Sequence, residues 1–221
     1  TVFVQVTNVS GSELPEVFTA TLYAFDSMQF TFSETLSVHT DGVFVFEDLD
    51  FMVGRIFIAG VDYQGTTYNS DVATVENPDL PLAMPIQIFD ATTDTSGLVV
   101  DRVHLFFDFS TAGTVQVVEL FIVSNPTQQA VIAAEGGTVM SFQLPEGYTD
   151  LQFEDGVLGD RYVEIPGGFA DTQTIPPGSS QYQVVFAFNL PYERKLKFEQ
   201  MLVKGTKASV ILLPEVGIKI T

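Results

Sequence analysis

The chain contains neither cysteine nor tryptophan. Without cysteine there is no disulfide framework, no thiolate metal site and no cysteine nucleophile. Charge is also scarce, at 17% of residues against about 25% in an average soluble domain. What basic charge exists is crowded into one end. Residues 1–192 hold 25 acidic residues against three basic ones, Arg55, Arg102 and Arg161, a net −22; residues 193–221 hold six basic against three acidic, a net +3. An acidic body repels phosphate backbones and anionic membranes, so nucleic acid is not an expected partner. The basic end suits the acidic body of a neighbouring copy, or is a solvated final strand. No apolar run approaches the roughly 18 residues of a spanning helix, so no membrane span is predicted. No charged and apolar leader precedes the fold. The chain enters "TVFVQVT" at Thr1, as a mature product or a portion of one would.

Apolar residues, by contrast, are plentiful: 46% of the chain, 20 of them phenylalanine, with a mean hydropathy of +0.26. That is more apolar surface than a lone domain of this length needs to hide, and it predicts burial against a partner. The apolar positions alternate with period two almost everywhere, and helical spacing is nowhere sustained, so the chain is all-β. Strands are expected near 2–7, 18–25, 29–38, 43–46, 55–63, 66–75 and 86–89, broken by Gly11, Asp41-Gly42, Gly54, Gln64-Gly65 and Asn77-Pro78. The polar, non-alternating "DATTDTSG" at 90–97 reads as a linker, dividing a domain at 1–90 from a second at 98–221, with 91–97 between them. Beyond it, strands are expected near 99–109, 114–123, 138–144, 151–153, 161–165, 181–190, 196–202 and 207–213, with 217–221 leading off the end. "VQVVELFIV" and "YQVVFAFNL" read as apolar on both faces, as interior strands of a sandwich do. Apolar runs repeatedly stop at Leu-Pro, because proline withholds an N–H from the ladder.

Within the first domain, "VFVQVTN", "FTATLYAF" and "VHTDGVFVFEDLDFMVGRIFIAGVDYQG" carry a pattern through Thr40, Asp41, Gly42, Phe44, Phe46, Leu49, Gly54, Arg55 and Tyr63. In these positions residues 1–90 resemble a carboxypeptidase regulatory-like domain, a transthyretin-type seven-stranded β-sandwich of secreted and cell-surface proteins. The gap between Asp41 and Gly42 is shorter than that family's, and its opening Gly-x-Val is missing. The resemblance implies a transthyretin-like sandwich for residues 1–90 and a passive spacer, adhesive or assembly role; the second half resembles no recognised family, and its strand pattern completes an expected fold class of two tandem antiparallel β-sandwiches, Ig-like or transthyretin-like. In this reading Asp41-Gly42 makes a hairpin turn, Phe44 and Phe46 enter the core, and Glu47, Asp48 and Asp50 stay in water.

Catalytic chemistry finds little support in the residues. The only histidines are His39, beside a turn, and His104, within an apolar strand, and neither accompanies a nucleophile elbow or an HExxH pattern. A non-enzyme without a cofactor is expected. Calcium is the metal the composition suits best, at Glu47, Asp48 and Asp50, at Asp90, Asp94 and Asp101, or at Glu154, Asp155 and Asp160, although no EF-hand spacing appears and acidic solvated loops read the same way. For sugar binding only Tyr23, Tyr63, Tyr68, Tyr148, Tyr162, Tyr182 and Tyr192 stand outside the alternating phenylalanines. "NVS" at Asn8 matches a glycosylation sequon and suits an extracellular chain.

The function these features predict is an extracellular or cell-surface structural protein that polymerises with itself, or with other surface proteins, as a filament, pilus or surface layer. Strand addition is the expected mechanism, with Val2, Val4 and Val6 at one end and Val216, Ile218 and Ile220 at the other as apolar rows offered to a neighbour's sheet. Both rows can equally fold back into their own domains. The alternative is an extracellular carbohydrate- or protein-binding module of a larger surface protein.

Overall fold

In the computed structural model every element is a strand. The structure describes residues 1–38, 41–215 and 217–218, and among them no helix occurs. The chain divides into two compact units, 1–91 and 92–221. The division falls inside the polar stretch expected as a linker. Residues 92–97 belong to the second unit, where the Thr92 carbonyl accepts from the Ile132 N–H.

The first unit runs β1 (Val2–Asn8), β2 (Phe18–Asp26), β3 (Gln29–Val38), β4 (Val43–Phe46), β5 (Ile56–Tyr63), β6 (Thr66–Asn69), β7 (Ala73–Thr74) and β8 (Leu82–Ile88). One sheet has the order β4-β1-β8, and the other β3-β2-β5-β6 with β7 also pairing β5. Period-two burial builds the core between them: Val2, Val4 and Val6 face inward with Phe44, Phe46, Met84 and Ile86 against Leu22, Phe57, Ala59 and Val61.

Asp41-Gly42 does not close a hairpin. β3 lies in one sheet and β4 in the other, because β4 takes β1 as its partner, so the chain crosses between layers here. His39 and Thr40 lie outside the described residues. Gly42 is required twice: its φ is +68°, and a Cβ would stand 2.6 Å from the Val6 carbonyl oxygen, which is hard against the strand it joins.

The second unit runs β9 (Ala91–Thr92), β10 (Val99–Asp108), β11 (Thr114–Asn125), β12 (Ala130–Val131), β13 (Met140–Gln143), β14 (Thr149–Phe153), β15 (Tyr162–Ile165), β16 (Gly168–Asp171), β17 (Gly178–Pro191) and β18 (Ser209–Leu212), β9 lying across the division. Its large sheet has the order β14-β17-β11-β10-β18, and its smaller one β13-β16-β15. Rings fill the space between: Phe121 lies 4.8 Å from Phe142 across the sandwich, and Phe186 lies 4.8 Å from Phe169. β16 falls in the gap between the strands expected near 161–165 and 181–190. Its four residues are all buried, and a Cβ on Gly168 would stand 2.0 Å from the Phe142 carbonyl oxygen, so only glycine lets β16 approach β13 there.

The strand expected near 196–202 does not form. Leu196, Phe198 and Gln200 alternate inward and Lys197, Glu199 and Met201 outward, but the segment has no ladder partner among the described residues. It lies as an extended strap over the core, with Phe198 edge-on to Phe107 at 5.0 Å.

Candidate functional site

The apolar rows expected to meet a neighbour have different fates. Val2, Val4 and Val6 are at most 2% exposed, and β1 is hydrogen-bonded on both sides, antiparallel to β4 and parallel to β8. This row is taken up by its own unit, and β1 presents no free edge, because its neighbours in the sheet come from residues 43–46 and 82–88 of the same sandwich. Val216 and Ile220 lie outside the described residues. Ile218 is half-buried and in no strand.

The open apolar edge lies a few residues earlier, at β18. Among the described residues this strand ends the large sheet of the second unit and pairs only β10, in parallel, from Val103↔Ser209 to Phe106↔Leu212. All four of its side chains are exposed, including Val210, Ile211 and Leu212. Four other edges carry a device that discourages pairing: Glu34 in β3, Pro85 in β8, Asp150 in β14 and Glu164 in β15. β4 is an apolar edge too, but of its large side chains only Val45 is exposed.

β18 is anchored just upstream. The Lys207 N–H donates to the Val100 carbonyl and the Lys207 ammonium to Asp101 Oδ1 at 2.8 Å, while the Val103 N–H donates to the Ala208 carbonyl. Asp101 also accepts from the Ser124 and Ser180 hydroxyls. Lys207 first, and then the two hydroxyls, hold the Asp101 carboxyl down to about 2.

Beside this anchor a groove of about 650 Å³ is bordered by Ser96, Leu98, Met140, Gln143, Met201 and Lys204. No aromatic side chain lines it, so it offers a sugar ring no stacking surface. The tyrosines do not supply one either. Tyr63, Tyr68 and Tyr162 are buried, with Tyr162 pushed up to about 12 by burial, and Tyr148, Tyr182 and Tyr192 are half-buried. Tyr23 alone of the seven is exposed.

Several of the acidic groups bind the protein's own residues. Asp50 lies 3.2 Å from Arg55, whose guanidinium also forks onto Asp26 at 2.7 and 2.9 Å and lies over Phe32. Those hydrogen bonds lower the Asp26 carboxyl and raise Arg55. Asp90 accepts from Ser12, Asn8 and Tyr63, which together keep it ionised below the ordinary range. Asp94 accepts from the Ser96 N–H. Asp155 binds Arg161, which reaches the wholly buried Asp171 at 2.9 Å and lies over Tyr162 and Tyr182. Tyr182 donates to the same Asp171 oxygen at 2.6 Å, and its hydroxyl is pushed up by burial first and the Asp171 charge second. Among the described residues no three His, Asp or Glu side chains converge as a metal site would require. His104 is half-buried, edge-on to Phe106. The Asn8 amide nitrogen, the atom a sugar would occupy, donates to Asp90 Oδ1 at 2.8 Å.

Two of the three arginines in the acidic body are thus internal pins, which leaves Arg102 as its exposed side-chain cation. Sequence patterning passed over these pins, as it did the edge at β18. A lone arginine beside aromatic strands was the available signal. No helix among the described residues is long and apolar enough to cross a membrane. No protein-family model matches the chain, and no curated protein matches it.

Proposed function

We propose that the chain is a non-catalytic structural protein of the cell exterior whose copies assemble through the open edge of β18. The observation that carries this reading is the strand itself: four exposed residues, three of them aliphatic, at an end of a five-stranded sheet that is unpaired among the described residues. Burying Val210, Ile211 and Leu212 against a neighbouring sheet contributes about 1.5–3 kcal/mol each before ordering costs. Charge supports a second copy as the occupant. β18 lies in the segment that holds six of the nine basic residues, and the rest of the chain is a −22 body to which that segment is attracted. The extracellular placement rests on the resemblance of residues 1–90 to carboxypeptidase regulatory-like domains of secreted and surface proteins.

Electron microscopy and light scattering of the purified chain, beside Val210→Lys/Leu212→Lys, test this. The wild type is expected to form fibres or ordered arrays as concentration rises, and the variant to remain monodisperse and folded. A wild type that stays monodisperse, or a variant that assembles equally well, overturns the reading. Monodisperse particles that capture a glycan or a protein would make the chain a binding module instead.

A further inference from the structure

The inward row of β11 reads Val115, Val117, Glu119, Phe121, Val123, placing a carboxyl in the middle of an apolar core with no exposure at all. Its cross-strand neighbours are Leu105 of β10 and Phe186 of β17. The strap contributes Gln200, the third residue of its inward set after Leu196 and Phe198. The Gln200 amide nitrogen donates to Glu119 Oε2 at 3.4 Å and to the Gln143 carbonyl of β13 at 2.7 Å. The other oxygens of the same two groups, Glu119 Oε1 and Gln200 Oε1, are both buried and, among the described residues, partnerless as acceptors. Two buried orphan oxygens on adjacent groups cost several kcal/mol unless something donates between them.

One proton resolves both. A carboxylic acid and a primary amide form a cyclic pair, in which the amide N–H donates to the acid carbonyl and the acid O–H donates to the amide carbonyl. The second amide hydrogen is then the one already given to Gln143, and every polar atom of the group is satisfied. We infer that Glu119 is held as the neutral acid and, paired with Gln200, forms a latch that fastens the strap to the core and opens as the carboxyl ionises.

Burial alone pushes the Glu119 carboxyl up to about 8, with no charged neighbour contributing. The groups around it agree: Leu105 from β10, Phe186 from β17, and Gln200 from the strap, itself held by the Gln143 carbonyl of β13. The charged residues nearest in the strap, Lys197 and Glu199, are exposed and pair with each other at 2.5 Å. Opening releases a proton, because a wetted carboxyl ionises near 4.5 and the latched one near 8. The opening equilibrium therefore rises about tenfold per pH unit between those values and levels off above them. Since the strap leads directly into β18, the latch would also gate that edge if copies meet there, but it stands independently of assembly.

The test uses the full chain, dilute enough to be monomeric. Carbon-13 NMR of labelled glutamate, with the Glu119 signal assigned by its loss in Glu119→Gln, is expected to find this carboxyl protonated at pH 6.5, where exposed glutamates are ionised. Hydrogen exchange of amides 196–207, corrected for intrinsic rate, is expected to rise about four-hundredfold from pH 5 to pH 8 in the wild type and to stay flat in Glu119→Gln. Gln200→Met, which keeps the length without the hydrogen bonds, is expected to loosen the strap already at pH 5. An ionised Glu119 at pH 6.5, the same pH response in wild type and Glu119→Gln, or a Gln200→Met strap as protected as the wild type would each overturn the latch.

Discussion

The two units solve the same problem with different materials. In the first, the inward positions of β1, β2, β4, β5 and β8 are apolar, and the buried charge, Arg55, sits just before β5 where Asp26 and Asp50 still reach water. In the second, a carboxyl occupies the centre of the inward row, Asp171 is wholly buried, and a strap of no regular structure is needed to complete the core. Alternation is enough to build a closed sandwich when each inward residue is satisfied by packing alone. Once an inward residue is polar, the sandwich depends on a partner brought from far along the chain, and that partner becomes a place where the structure can open.

Changing Glu119 should separate the units most. Its folded carboxyl titrates near 8 against 4.5 in solution, so the folded state binds the extra proton. The stability this confers is complete below about 4.5 and is lost progressively as pH rises to about 8. Glu119→Gln removes the dependence and should raise the stability of the second unit by up to about 5 kcal/mol at pH 8.5, and by little at pH 4. Denaturant melts at the two pH values, followed by probes in each unit, check this; a gain that is the same at both would mean the carboxyl is not buried as an acid.

Removing the internal arginines comes next. Arg161→Met strands the Asp171 carboxylate, which has no exposure, and should cost about 3–5 kcal/mol. Arg55→Met should cost distinctly less, because the Asp26 and Asp50 side chains it abandons are 37% and 70% exposed and can be solvated. Equal losses in urea titrations would erase this distinction between the clasps.

A smaller contrast lies between two glycines. Alanine at Gly168 would drive a Cβ into the Phe142 backbone oxygen and should cost about 1–3 kcal/mol or more. At Gly60 of the first unit the Cβ would meet the Asn69 side-chain oxygen at 2.9 Å, a group that can turn aside, so Gly60→Ala should cost less than half as much by the same measurement.

The least effect is expected at the β18 anchor. Lys207→Met removes an ion pair whose lysine is 63% exposed, worth about 0.2–1 kcal/mol. The Asp101 carboxyl is depressed to about 2, so its contribution is present above about 3.8 and disappears as pH falls through 2. Amide exchange in 207–212 should therefore quicken in Lys207→Met at pH 6 and match the wild type at pH 2.

Much of this architecture was legible before any coordinates. The inward phases of β1, β2, β4 and β5 follow from alternation, and β3 begins and ends where its pattern does. The short, fully buried β16 was not legible, since four residues, "GFAD", give alternation nothing to act on. Nor was the strap, whose alternation is real: period two reports which side chains face the core and is silent on whether the backbone has a neighbour. Glu119 was hidden within "VQVVELFIV", read as apolar on both faces, although its odd-numbered phase with Val117 and Phe121 already put it inside.

By itself the sequence determined that this chain is all-β, that its body is acidic and its end basic, and which faces of its long strands are dry, because these depend only on composition and on the two-residue repeat of an extended backbone. The tertiary structure alone decided that β1 lies between β4 and β8, so its valines are spent at home, that β18 is left with an open edge, and that Gln200 meets Glu119 across 81 residues of chain. Strand neighbours and polar partners are contacts between distant positions, and no local periodicity records them.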